Sequence, residues 1–345
     1  MRVADYNSCV SISSRRMRLV ALLVVVLASP AAAQTAASKP WTATMPDGKP
    51  DLEGVWTNAT LTPLERPARF AGRAVMTEAE AAELESQAVT SFEQQAADRA
   101  QAAAAPRAGA AVGSYNQAVW ADPDRKVVAT RQTSLVVDPP DGRVPLRPEA
   151  ERQRSTRAAQ ETDSYEFMNP FDRCITRGVP GGLFPAGYNN AYQILQTPGY
   201  VVIVSEMIHE ARIIPTDGRP HRAEGPRSMT GESIGRWEGD TLVVDTTNYD
   251  DKGSIATAST AGRIRGIPQS EGLHVVERFR RVDAGSISYT VTIEDPSVYT
   301  APWTVSMPLV KDDDYRIYEF ACHEANYAVG NILRGARVED AAGAR

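Results

Sequence analysis

FACHEANY, residues 320–327, sets a thiol, an imidazole and a carboxylate in succession near the end of the chain. A second His-Glu step, His209-Glu210, stands in SEMIHEARII, residues 205–214. An imidazole near a desolvated carboxylate is the pairing that general acid–base chemistry uses. Burial raises the carboxyl pKa, while a histidine titrates close to neutrality. The chain has four histidines, at positions 209, 221, 274 and 323. On a strand, however, neighbouring residues point to opposite faces, so neither His-Glu step is a dyad in itself. Any catalytic pair must form across strands.

Period-two alternation selects the partners. Read as one continuous strand, YVVIVSEMIHEARII puts Val201, Ile203, Ser205, Met207 and His209 on one face. Glu206, Glu210 and Arg212 take the other. Desolvating three charges costs more than desolvating one imidazole, so His209 is expected inside and Glu210 outside. YRIYEFACHE, residues 315–324, read as the last strand, pairs His323 with Glu319 on its inner face. Glu277 shares an otherwise apolar face with Val275 and Phe279, and Tyr289 lies among Ile287, Val291 and Ile293. The expected interior set is therefore His323, His209, Glu277 and Glu319, with Tyr289 as a proton or hydrogen-bond donor. A buried Glu-Arg structural pair is the other reading of Glu277. No cofactor is expected. A divalent metal, if one is used, would take His209, His274 and His323, but there is no H-x-H or H-E-x-x-H spacing, and His274 sits on the opposite face from Glu277. His221 follows Pro220 in a turn and is expected at the surface. Neither a G-x-S-x-G elbow nor a phosphate-binding loop occurs. PGGLFPAG, residues 180–187, reads as a loop bordering a pocket mouth.

The elements that must position these groups are mostly strands. GRWEGDTLVVDTTNY, GLHVVERFRRVDAGSISYTVTIEDP and APWTVSMPLVKDDDYRIYEFACHE read as hairpins turning at Glu238–Asp240, Asp283–Gly285 and Lys311–Asp314. In PWTVSMPL, Trp303, Val305, Met307 and Leu309 share a face. TSLVVDPPDGRVPL, residues 133–146, reads as a shorter hairpin, and PDLEGVWTN as the first strand. Helices are expected over 77–104, opened by a Thr77–Glu80 capping box, and over 147–160. The chain divides into 1–33, a signal peptide; 34–76, an N-terminal segment with the first strand; 77–162, a helical insert with a short hairpin; 163–335, an antiparallel meander; and 336–345, a C-terminal tail. The fold class is mainly β: an antiparallel up-and-down barrel or strongly curved sheet with a helical insert.

Arg15, Arg16 and Arg18, the apolar run Leu19–Leu27 and the small residues Ala31–Ala33 make the export signal. Removing 33 residues takes four of 37 basic and one of 43 acidic side chains, leaving a net charge of −9. That balance excludes nucleic acid as an expected partner. Of three cysteines, Cys9 leaves with the signal, and in an exported chain Cys174 and Cys322 are expected to bond. No membrane span is expected after signal removal.

PDLEGVW, FDRCITRG, GRWEGDTLVVDTTNY and YEFACHEANY resemble the recurring blocks of a large family of secreted bacterial proteins. That resemblance implies secretion and brings no particular activity. The two G-x-W steps, Gly54-Val55-Trp56 and Gly235-Arg236-Trp237, together with the meander, resemble lipocalin-like barrels. The expected function is a periplasmic or secreted enzyme doing acid–base chemistry, of hydratase, isomerase or lyase type, on a small, partly apolar molecule in a barrel pocket. The alternatives are a non-catalytic lipocalin-like carrier and a His-coordinated metal enzyme.

Overall fold

The computed structural model describes residues 41–104, 125–223, 225–256, 266–324 and 326–343. The signal-peptide reading at 1–33 lies outside the described residues. The strands are β1 Gly54–Thr57, β2 Val136–Asp138, β3 Ala191–Thr197, β4 Tyr200–Ser205, β5 Ala211–Pro215, β6 Glu232–Glu238, β7 Thr241–Thr247, β8 Ser254–Ala256, β9 Gly266–Pro268, β10 His274–Arg281, β11 Ser286–Glu294 and β12 Trp303–Lys311. Three α-helices accompany them: α1 Glu78–Ala104, α2 Pro148–Ala159 and α3 Ala328–Ala341. Among the described residues, no helix is long and apolar enough to cross a membrane.

Nine strands form one antiparallel sheet in the order β5-β4-β3-β1-β12-β11-β10-β7-β6, with β2 added beside β12. The sheet curls until β5 and β6, its two ends, meet. Their meeting is a seam of side chains without a laddered pair: Arg212 of β5 donates to Ser233 Oγ of β6 at 2.9 Å. Gly235 permits the close approach, because a Cβ there would stand 2.8 Å from Thr216 and 3.0 Å from Ile214. The fold is thus the expected mainly β, nearly closed antiparallel barrel.

Alternation explains the core. Ile287, Tyr289, Val291 and Ile293 of β11 and Trp303, Val305, Met307 and Leu309 of β12 all point inward and are buried. Facing them are Trp56, Tyr192, Tyr249 and Phe279, each fully buried. These large aromatic side chains occupy much of the interior. At one end Trp56 donates its indole N–H to Leu52 O at 3.0 Å, and the Arg281 guanidinium lies 5.0 Å over its ring. The β6–β7 and β10–β11 hairpins form where the turn residues indicated, with His274 opposite Glu294 at one end of the second.

Four expectations are corrected. YVVIVSEMIHEARII is a hairpin, β4 and β5, joined by a 3-10 turn at Met207–His209 whose Ile208 and His209 have φ of 63° and 42°. Residues 315–324 form no strand. β12 already bonds β11 on one edge and β1 and β2 on the other, which leaves no edge for another neighbour. The 133–146 hairpin reduces to β2 and a turn closed by Gly142 N–H to Pro139 O at 2.9 Å; past that turn, residues 143–146 hold only an isolated bridge from Leu146 to Tyr299. Residues 328–341, which cross the expected meander–tail boundary at 335, form α3. The bond between Cys174 and Cys322 is present, tying the segment after β12 to the loop ahead of β3.

Candidate functional site

An ionic centre lies inside the barrel wall. Glu277, fully buried on β10, takes a bidentate pair from Arg212 of β5: Nη1 to Oε1 at 3.1 Å and Nη2 to Oε2 at 2.6 Å. Tyr289 of β11 donates its hydroxyl to Glu277 Oε1 at 2.9 Å. Ser233 Oγ, which accepts from Arg212, lies 2.9 Å from Thr246 Oγ1. Burial first, then the Glu277 carboxylate, raise the Tyr289 pKa well above the usual phenol value, so this hydroxyl stays protonated. Glu277 and Tyr289 are therefore brought together as expected, in the arrangement of the buried Glu-Arg reading. A fully satisfied carboxylate of this kind holds structure and is poorly placed to exchange protons with a substrate.

A second carboxyl differs. Glu210, at the end of the β4–β5 turn, accepts from Thr176 Oγ1 at 2.7 Å. With Arg212, Ser205 and Ile203 it lines a cleft of about 10 Å³, room for about one water. Desolvation raises the Glu210 pKa above the usual carboxylate range, against the opposing pull of the Thr176 hydroxyl and the Arg212 charge. Arg212 keeps one buried donor, Nε–H, without a hydrogen-bond partner. The cleft's other wall is Gly178 and Val179 together with Pro180, Gly182 and Leu183 at the start of the 180–187 loop. Three interior side chains pin its carbonyls. Tyr249 bonds Val179 O at 3.3 Å, Tyr192 bonds Gly182 O at 2.8 Å and Asn58 bonds Leu183 O at 2.6 Å. Gly178 has φ of 77°, and a Cβ there would stand 2.4 Å from Ser254 O, so glycine is required.

The histidines do not join this site. His209 is exposed, its Nδ1 2.8 Å from Phe320 O. Glu319 and His323 are exposed in the irregular stretch after β12. The expected inward placement of His209, Glu319 and His323 is thus overturned. The 3-10 turn inserts extra residues, so inward parity passes from the odd to the even positions in β5. Glu210 and Arg212 are the residues that alternation missed, because a β-branched Ile208 at positive φ leaves no cue in the sequence.

His274 lies on the outer face, its Nδ1 2.9 Å from Glu294 Oε1 and its Nε2 3.1 Å from Asp245 Oδ1. His221 Nε2 approaches the same Asp245 oxygen at 3.1 Å. Among the described residues no group of three His, Cys, Asp or Glu side chains stands as a metal site; His209 faces Phe320 O, whereas His274 faces Glu294 and Asp245. Carboxylates at both ring nitrogens of His274 require both to carry hydrogen. Burial opposes this, but Glu294 and Asp245 prevail and raise the pKa above the usual histidine value. The stabilisation is then fully present below about pH 6.5 and disappears as pH rises through the higher folded value. The unfolding free-energy gap between the wild type and His274→Gln should shrink from about pH 6 to about pH 9 in urea titrations. A gap that widens with pH would contradict this assignment.

No family model, curated protein or solved structure matches this chain.

Proposed function

We propose that the protein is an exported enzyme of acid–base chemistry, of isomerase, hydratase or lyase type, acting on a small, partly apolar molecule. The observation that carries this reading is the cleft shared by Glu210, whose carboxyl pKa is raised by burial, and Arg212, which has an unpartnered buried N–H. Export is supported by the signal-like N-terminus and by the Cys174–Cys322 disulfide, a bond of oxidising compartments.

The cleft admits one oxygen-bearing group, with the remainder of the molecule lying outside. Ionised Glu210 would take a proton from the carbon beside a carbonyl, and Arg212 Nε–H would stabilise the negative charge that collects on the carbonyl oxygen. The protonated Glu210 then returns the proton to a neighbouring position, which completes an isomerisation without net change in charge. Thr176 fixes the carboxyl orientation. Buried Glu277 keeps Arg212 charged and aimed.

Proton exchange is the direct test. Incubating the protein in D₂O with a panel of small carbonyl and hydroxy compounds, read by NMR, should show deuterium entering at one carbon. Glu210→Gln should slow that exchange by about 10²–10⁴-fold. The same variant should melt no lower than the wild type at neutral pH. A raised carboxyl pKa favours the fold at low pH and works against it once pH climbs above the ordinary carboxyl value, and glutamine removes that opposition. Unchanged exchange in Glu210→Gln would end the reading.

A further inference from the structure

A second cavity, of about 170 Å³, with a lining distinct from that of the cleft, lies between α2, the turns at 166–173 and the β8–β9 hairpin. Its lining is rich in cations: Arg154 and Arg157 from α2, Arg173 from the turns, and Lys252 just before β8. Arg154 lies 3.6 Å from Glu151. Among the described residues Arg157, Arg173 and Lys252 form no ion pair; Arg173 lies 5.7 Å over the Tyr165 ring. Two carboxylates, Glu161 and Glu166, also border the space, so cations outnumber them by two. Met168, Pro170 and Pro268 give it an apolar floor.

We infer that this cavity binds a small dianion through Arg157, Arg173 and Lys252. Three like charges without an ion pair line one concave space and repel one another, and an oxyanion relieves that repulsion while accepting charge-assisted hydrogen bonds. The walls are built to hold their positions. Arg173 N–H bonds Asn169 O at 3.3 Å, Ile175 N–H bonds Pro170 O at 2.8 Å, and the Cys174 disulfide anchors the same turn. At Gly266 a Cβ would stand 2.3 Å from Ser254 Oγ and 2.7 Å from Asn169 Nδ2, so bare backbone forms that part of the wall. The volume is well below the roughly 300–1,000 Å³ of pockets for drug-sized ligands, which limits the occupant to a phosphate- or dicarboxylate-sized group. This site stands independently of the Glu210 cleft.

Calorimetric titration at constant ionic strength tests it with three probes: inorganic phosphate, glycerol phosphate and succinate, with acetate and chloride as controls. At least one dianion should saturate a single site, and neither control should. Arg157→Gln combined with Lys252→Gln should raise its dissociation constant about tenfold or more, the loss of two charge-assisted contacts. Arg152→Gln, on the exposed side of the same helix, should leave it unchanged. Both variants alter side chains outside the core, and melting curves will verify that they fold. Saturation by acetate as tightly as by a dianion, no saturation by any probe, or binding indifferent to the double substitution would overturn the inference.

Discussion

Arg212→Met should cost about 3–5 kcal/mol of unfolding free energy, because it strands a carboxylate inside the barrel wall. Glu277 is fully buried and draws two of its three hydrogen bonds from Arg212. With the guanidinium gone, only the Tyr289 hydroxyl remains. The double variant Arg212→Met with Glu277→Met should recover most of the loss, since replacing both partners removes the desolvation penalty along with the attraction. Urea denaturation of the two singles and the double completes the cycle. Independent, additive losses would show that the pair is not a coupled buried ion pair. Glu277→Met alone should also destabilise by several kcal/mol, because it leaves Arg212 charged within the wall.

Removing the disulfide should have an effect of similar size. The bond joins residues 148 apart, and on the chain-entropy account a loop of that length contributes about 5 kcal/mol. Cys174→Ala with Cys322→Ala should therefore lower the denaturation midpoint sharply. The released segment should also become sensitive to protease. Its contacts with the rest of the molecule include Tyr315 hydroxyl to Glu206 at 3.0 Å, His209 Nδ1 to Phe320 O at 2.8 Å and the Tyr188–Phe320 ring stack. Thiol titration of the denatured, unreduced full chain should find one free thiol, Cys9, out of three cysteines. Three free thiols would contradict the bond.

Alternation read the barrel well wherever strands were regular and paired in sequence order. β10, β11 and β12 alternate cleanly, so Glu277 and Tyr289 could be placed inside from their neighbours alone. It failed where regularity failed. The 206–210 turn contains no glycine or proline to mark it, and a strand read across it assigned Glu210 and Arg212 to solvent. The stretch after β12 has strand-like residues, Tyr318 and Phe320 among them, but pairing requires a free edge, and edge occupancy is a property of the assembled sheet. α3 was hidden by Gly330 and Gly335, which argue against a helix interior. The cationic cavity draws Arg157, Arg173 and Lys252 from three separate segments, so no local pattern announces it.

The place of β1 in the sheet bears on how the barrel is made. It lies between β3 and β12, with Gly54 opposite Ile194 and Trp56 opposite Lys311, partners 140 and 255 residues downstream. A chain that emerges N-terminus first presents β1 early; its β3 edge waits for residue 194, and its β12 edge stays unpaired until nearly all the remaining strands have appeared. Contacts this distant in sequence slow the closing step and lengthen the time during which an apolar strand lies open to wrong partners. β1 is four residues long, which limits the surface it offers while it waits. The first strand to appear is thus fixed by the last.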